Sequence, residues 1–463
     1  MSLKRVFCDF WIVVLPGSTQ ELNEFFGDLW SMFGRNVSYV MVRIGLAAFV
    51  GFAISSLLAK ALGPELNGLY SLGILLPITA NAIGSMGMAP ATVYFLGAKK
   101  YSDRVVVSSN LLVSLIASIA IIAFCLAARD LKGTVFPGLS DVALLIGVVA
   151  IVPYLLFSNL LSVFQGKQSF KIYGFLSLAP QVSILVGAII LTRLGGDILV
   201  NALISWGFGY LVSCLALIFL LRKSISFKNI WGRRDVQKDL IKYGLVSHLS
   251  NLVAFLNYRL DVYLLGSLAG ASAVGVYAVS VPITEAAWAV SNAVSVVIFP
   301  YISSRQNLKP QNPTPRICRI VLAFTLVVAA IIAFFSHYII LSLYGTAYLG
   351  AVDVLLILLP GVVLWGGARV LCNDFAGRGR PDINFVVTFL ALIVNTVSNF
   401  IFIPDYGYIG AAIASCVSYS FFSACIVIVY AKLFSVRFSD LMIIKLHDLI
   451  ALKSIVENTL RKN

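Results

Sequence analysis

Two stretches decide the fold: ALGPELNGLYSLGILLPIT, residues 61–79, and LAGASAVGVYAVSVPIT, residues 268–284. Each sets Gly-x-Tyr just after a glycine-bearing turn, and each reaches Pro-Ile-Thr inside an apolar run. Gly68-Leu69-Tyr70 matches Gly275-Val276-Tyr277 at an offset of 207 residues. Two further echoes keep nearly that spacing. Phe164-Gln165-Gly166-Lys167 matches Phe375-Ala376-Gly377-Arg378 at an offset of 211, and Leu194-Gly195-Gly196 resembles Asp405-Tyr406-Gly407. Three echoes in one order point to an internal duplication.

What is duplicated belongs in lipid. Of 463 residues, 60% are apolar and only 12% are charged, and the mean hydropathy is +0.95. A soluble domain carries about a quarter charged residues. Apolar runs long enough to span a bilayer recur from residue 37 to residue 434. They divide into twelve spans near 37–60, 68–97, 105–128, 142–165, 170–192, 198–221, 242–268, 273–302, 319–342, 349–375, 383–404 and 408–434. Each must be helical, because hydrocarbon offers no partner to an open backbone.

The formal net charge of +14 is a property of loops and gives no reason to invoke nucleic acid as a partner. One set of loops holds 18 Lys and Arg, with the cluster Arg222, Lys223, Lys228, Arg233, Arg234, Lys238 and Lys242 at its centre. The opposite set holds Lys60, Arg129, Lys132 and Arg193, beside Glu65, Asp141, Asp197 and Asp405. The imbalance predicts a multi-pass protein of the cytoplasmic (inner) membrane with both termini in the cytoplasm.

The domain plan follows. Residues 1–36 read as a cytoplasmic or interfacial segment, since the apolar run at 6–15 is too short to span and lacks a small-residue cleavage site. Residues 37–222 form a first six-helix lobe, 223–241 a basic linker and 242–434 a second lobe. Residues 435–463 form an amphipathic tail, with Met442, Leu446, Leu449 and Val456 on one face. Six is even, so both lobes enter the membrane the same way, and their pseudo-twofold axis runs along its normal. Two like-oriented lobes about a central passage suit alternating access.

Several chemistries are absent. No Gly-x-x-x-x-Gly-Lys-Ser/Thr loop occurs, so no P-loop hydrolyses nucleotide here. The seven cysteines include no CxxC pair and only three histidines are present, so neither a disulfide framework nor a metal site is expected. No cofactor is implied, and no soluble segment is long enough for a catalytic fold. The chain does not read as an enzyme.

The stretch ALGPELNGLY and the long run NYRLDVYLLGSLAGASAVGVYAVSVPITEAAWAVSNAVSVVIFPYIS carry a resemblance, together with LYGTAYLGAVDVLLILLPG, AGRGRPDINF and NTVSNFIFIPDYGYIGAAIASCVSY. Over residues 37–434 the chain resembles the polysaccharide-transport branch of the multidrug/oligosaccharidyl-lipid/polysaccharide (MOP) exporter superfamily, which includes O-antigen flippases. The resemblance implies an all-α, MATE-like fold of twelve helices in two lobes. It also implies a function: moving polyprenyl-diphosphate-linked oligosaccharide across the membrane for O-antigen, capsule or exopolysaccharide assembly. Expected partners are that lipid-linked oligosaccharide, membrane lipids, H+ or Na+ as a coupling ion, and polysaccharide polymerase or assembly proteins. Two relatives stay open as alternatives, a cation-coupled multidrug exporter and a lipid II-type flippase.

Charges inside the spans select the site. Each Arg, Lys or Asp at a helix centre costs about 2.5–3.5 kcal/mol on insertion, so each needs a reason. Arg43 lies in span 1, Arg259 and Asp261 in span 7, Glu285 in span 8 and Arg369 in span 10. Guanidinium stays charged and presents a planar fork to phosphate oxygens, so Arg43, Arg259 and Arg369 are candidates to hold a diphosphate. The competing expectation is that Arg259 or Arg369 pairs with Asp261, Glu285 or Asp374 to lock helices, and that Arg43 snorkels to the interface. Asp261 and Glu285 are candidates either for ion coupling or for such pairs. Tyr258, Trp288 and Trp365 are candidates for stacking on sugars, against a bland role in packing.

Overall fold

The computed structural model describes residues 19–445 apart from 129, 131, 227–233, 290, 293, 296, 297, 299–313 and 444, with side chains from residue 45 onward except 246 and 247. Segment 1–18, the middle of the 223–241 linker and the amphipathic tail beyond 445 therefore lie outside the described residues.

What is described is almost wholly helical. The long helices are α1 (Thr19–Gly84), α2 (Met88–Gly97), α3 (Asp103–Ala127), α4 (Asp141–Gly166), α5 (Phe170–Leu191), α6 (Ile198–Leu221) and α7 (Arg234–Ala269). They continue as α8 (Ala271–Glu285), α9 (Thr314–Leu343), α10 (Ala351–Gly377) and α11 (Pro381–Phe434). Nine of the described helices are long and apolar enough to cross a membrane. Two of the nine, in α1 and α11, are broken by a non-helical glycine, Gly63 (φ 71°, ψ 173°) and Gly407 (φ 54°, ψ −128°). Each break divides one helix into two crossings, and the shorter α8 adds a further segment. These account for the twelve spans read from hydropathy. The outer faces are apolar, with Phe334 78% exposed and Phe49 74% exposed, as lipid requires.

One span departs from the expectation. The run at 68–97 is not a single helix: α1 stops at Gly84, residues 85–87 turn, and α2 restarts at Met88. The reason is a backbone contact. Gly87 sits at φ 67°, and a β-carbon on it would lie 2.1 Å from the carbonyl oxygen of Gly244 in α7. Only two glycines allow chains to approach so closely.

By packing, the described residues form two compact units: 39–279 with 343–348, and 280–342 with 349–445 and 19–38. This division is one of contact, and the proposed lobes are a division of descent. Helix α7 and the first half of α8 pack with the helices of residues 39–222.

The opening repeat explains why. Gly68 and Gly275 belong to the same unit and meet there. A β-carbon on Gly68 would lie 1.8 Å from the carbonyl oxygen of Ala271, and one on Gly275 1.8 Å from that of Pro64. Ala271 follows Pro64 by the same 207 residues that separate Gly275 from Gly68. Asn67 Nδ2 also donates to the Gly275 carbonyl at 3.3 Å. A contact in which each partner presents the equivalent atoms to the other is what a local two-fold produces.

The second echo is equally literal. Helices α4 and α10, one in each unit, end alike: Lys167 lies at φ −80°, ψ 2° and Arg378 at φ −86°, ψ 7°. In the first, Lys167, Gln168 and Ser169 NH groups donate to the Val163, Gln165 and Phe164 carbonyls; in the second, Arg378, Gly379 and Arg380 donate to Asp374, Ala376 and Phe375. The pattern is a left-handed helix stop, with Gln168 (φ 57°) in one copy and Gly379 (φ 75°) in the other.

Candidate functional site

Of the three candidate arginines, the two with described side chains lie one in each unit. In the first, Arg259 is half-buried on α7 and makes no ion pair or hydrogen bond among the described residues. Its neighbour Asp261 is 2% exposed and is held by the Tyr277 hydroxyl at 2.5 Å and by the Val262 NH at 2.8 Å. The expected Arg259–Asp261 pair does not form, because Asp261 turns toward α8 and Arg259 does not follow. One turn along from Arg259, the Tyr263 hydroxyl bonds Thr79 Oγ1 at 2.7 Å. That face of α7 therefore packs on α1, and Arg259 lies within electrostatic reach of Tyr154 in α4.

In the second unit, Arg369 is half-buried on α10 and likewise lacks a carboxylate among the described residues. The expected pairing with Asp374 fails for a specific reason. Asp374 is fully buried and already accepts from Arg378 Nε at 2.5 Å and from the Tyr430 hydroxyl. Glu285 ends α8, half-buried, in this same unit. Arg43 lies in α1, and its side chain is outside the described residues. Arg259 and Asp261 thus share one unit, and Arg369 and Glu285 the other.

Of the sugar-stacking candidates, Trp288 and Trp365 are core. Both are 5% exposed. Trp288 Nε1 donates to the Val362 carbonyl at 3.0 Å, and Trp365 stacks on Phe422 with centroids 4.0 Å apart and packs on Tyr419. Their faces are covered.

A second aromatic cluster, which sequence reasoning missed, lies in the first unit. Trp206 and Tyr210, one turn apart on α6, pack at 4.6 Å, and Tyr154 of α4 meets them at 5.3 and 4.6 Å. Trp206 and Tyr210 line a cavity of about 270 Å³ together with Asn67, Tyr70, Ser71 and Gln181. Glycines set its walls. Gly73 brings α1 onto Leu203 of α6, and Gly209 lets α6 lie against Pro180 and Ile184 of α5. None of the lining residues is charged; the Gln181 Oε1 atom is shut off from solvent and has no hydrogen-bond partner among the described residues. Two signals in the sequence mark this place: a glutamine inside an apolar span, and Asn67 and Tyr70 flanking the repeated Gly68.

Outside the spans, the α2–α3 loop is tied to the start of α7. Asp239 accepts from Tyr101 at 2.6 Å and from Lys100 at 3.1 Å, and these two hydrogen bonds hold its carboxyl below the usual aspartate range.

A multi-pass bundle, almost wholly helical among the described residues and with internally repeated turns, is a membrane protein with the fold of MOP-superfamily transporters. The solved structure of a lipid II flippase, MurJ, in an inward closed conformation superposes with a TM-score of 0.71 at 17% identity, over 92% of this chain and 93% of that one. An inward-facing multidrug resistance transporter of the MATE family superposes with a TM-score of 0.68 at 19% identity, over 87% and 98%. The chain belongs to the polysaccharide biosynthesis protein family, whose model matches residues 33–306; a MatE model matches residues 247–401. Among curated relatives, the probable low-salt glycan biosynthesis flippase Agl15 of Haloferax volcanii is 26% identical over 237 residues, 50% of this chain. The chain spans about half the length of that relative (47%). MurJ and Agl15 are flippases by name, and the MATE-family protein is a transporter by name.

Proposed function

We propose that this protein is a flippase that carries polyprenyl-diphosphate-linked oligosaccharide repeat units across the cytoplasmic membrane by alternating access, with both termini in the cytoplasm. The observation that carries the reading is Arg259: a guanidinium half-buried in a span, with no ion pair among the described residues. An unpaired cation in a span is costly unless it faces water or an anionic ligand. A diphosphate is the matching anion, since it takes the guanidinium fork at two oxygens and is itself too costly to move through hydrocarbon bare. Arg369 has the same character in the second unit, and Arg43 is the third candidate in the chain. Membership of the polysaccharide family and the name of Agl15 favour a glycan as cargo. O-antigen, capsule and exopolysaccharide precursors share this chemistry.

Asp261 is the proposed coupling group, for H+ or Na+, with Glu285 as the second candidate. The buried carboxylate and the MatE match give a cation-coupled exporter some ground as a rival. The rival is disfavoured because no Asp or Glu lies within the apolar runs of the first six spans, where a cationic cargo would need one.

The test is genetic complementation. Deleting the gene should leave lipid-linked repeat units on the inner leaflet, and the wild-type chain should restore surface glycan. Arg259→Ala and Arg369→Ala should insert at normal abundance and restore little. Full restoration by both would overturn the reading, and restored drug efflux in their place would favour the exporter.

A further inference from the structure

A second hollow lies outside the spans, where helices α2 and α4 stop side by side. Its volume is about 690 Å³, and its lining includes Lys99, Lys100 and Lys167 together with Tyr101, Asp103 and Gln168. Both helices end in the same left-handed stop, with Lys99 at φ 52° and Gln168 at φ 57°. The Ala98, Lys99 and Lys100 NH groups donate to the Tyr94, Leu96 and Phe95 carbonyls, as those of Lys167, Gln168 and Ser169 do to their partners in α4. Gly166 brings the two ends together: a β-carbon on it would lie 3.0 Å from that of Leu96. Lysines at the end of a helix ordinarily serve its free carbonyls. Here backbone NH groups already take carbonyls of both last turns, so the ammonium groups are available to other partners.

The charges around the hollow do not cancel. Three lysines meet one lining carboxylate, Asp103, which lies 2.6 Å from Lys167 Nζ. Lys100 reaches Asp239 of α7 at 3.1 Å, while Lys99 is exposed and its ammonium has no ion pair among the described residues. The matching stop in the second unit neutralises itself: Arg378 binds Asp374, and Arg380 takes both oxygens of Asp382. The hollow sits where apolar runs give way to the basic set of loops, the level of lipid headgroups. Ile172 and Phe175, exposed on the first two turns of α5, begin a lipid-facing surface a few residues beyond Gln168. We propose that this hollow binds the headgroup of an acidic phospholipid of the inner leaflet, with Lys99 and Lys167 on its phosphate and its acyl chains beside Ile172 and Phe175. A lysine ammonium is a compact charge with three donors and suits a phosphate of no fixed orientation. A zwitterionic headgroup brings an ammonium of its own, which the lysines repel, so the hollow selects net negative charge. The headgroup would brace the loop that already ties α3 to α7 through Tyr101 and Asp239. The choice of leaflet rests on the proposed orientation, and the site does not depend on the cargo, since neither Arg259 nor Arg369 lines it.

The test is native mass spectrometry of the full-length protein in detergent, titrated with phosphatidylglycerol, phosphatidylcholine and phosphatidylethanolamine of matched acyl chains. A lysine near a headgroup is worth about fivefold in affinity, so phosphatidylglycerol should bind at least about tenfold more tightly than either zwitterionic lipid. Lys99→Gln should remove about fivefold of that preference, and the double variant Lys99→Gln, Lys167→Gln nearly all of it. Lys99→Arg should keep it. Arg193→Gln, which removes an exposed charge from the opposite set of loops, should leave it unchanged. Lys99 is exposed, so its substitution disturbs no packing, and each variant's phosphatidylcholine affinity is its own reference. Equal affinity for the three lipids, a preference that survives the double substitution, or an equal fall in Arg193→Gln overturns the site. Farnesyl diphosphate that displaces phosphatidylglycerol at equal concentration would assign the hollow to the cargo's diphosphate and overturn it too. Glycan export that requires Arg259 keeps the flippase reading under any of these results.

Discussion

The molecule builds two aromatic clusters and finishes them differently. In the second unit, Trp288 and Trp365 are enclosed by Tyr419 and Phe422, and the Trp288 NH is bonded to a backbone carbonyl. In the first, Trp206 (7% exposed) and Tyr210 pack on Tyr154 and border a cavity of about 270 Å³. The charged groups differ within each unit and not between units: Asp261 is held by Tyr277 and Asp374 by Arg378 and Tyr430, whereas Arg259 and Arg369 have no ion pair among the described residues. What separates a structural group from a candidate functional one is whether its interactions are complete within the fold.

Stability measurements should widen that contrast most. Trp365→Ala removes an indole stacked at 4.0 Å and should cost about 3–5 kcal/mol, seen as a large drop in thermal unfolding temperature in detergent. Trp206→Ala, beside a cavity that already exists, should cost clearly less. Equal losses would mean that both clusters are simply core.

The charged pair of sites comes next. Asp374→Ala leaves the Tyr430 hydroxyl and Arg378 without their acceptor and should cost about 1.5–3 kcal/mol, the range for a hydrogen bond to a charged group. Arg259→Leu should leave the unfolding temperature near wild type and remove glycan export. A large loss of stability in the Arg259 variant would place it with Asp374 as a structural charge.

The smallest effect concerns the Asp239 tether. Its carboxyl is held low by Tyr101 and Lys100, so its contribution is present above the ordinary aspartate value and is lost as pH falls through the depressed one. Hydrogen exchange in the α2–α3 loop should rise modestly over that acidic interval. Asp239→Asn should show faster exchange already at neutral pH and no further acid step.

Much of this fold was legible because lipid simplifies the code. Twelve spans follow from hydropathy, since every span must be a helix, and the duplicated Gly-x-Tyr predicted a symmetry that the reciprocal Gly68–Gly275 contact realises. The break at Gly87 was not legible, because its cause is Gly244, 157 residues away in sequence. The site was harder still. Span arginines stand out by cost alone, yet whether Asp374 pairs with Arg369 or Arg378 depends on which turn of α10 faces Tyr430. Tyr258, Trp288 and Trp365 stood as candidates for sugar stacking against a role in packing, and the two tryptophans are packed core, since an isolated sequence does not say which aromatic face is covered.

The most direct measurement is transport itself. Purified protein in proteoliposomes should move a fluorescent polyprenyl-diphosphate-linked sugar between leaflets. Arg259→Ala should slow this at least about tenfold, a loss of about 1.4 kcal/mol in the barrier. Arg259→Lys, which keeps the charge without the fork, should fall between the two. Wild-type rates in the alanine variant would contradict the account, because the cation on which it depends would then have no part in carrying the diphosphate.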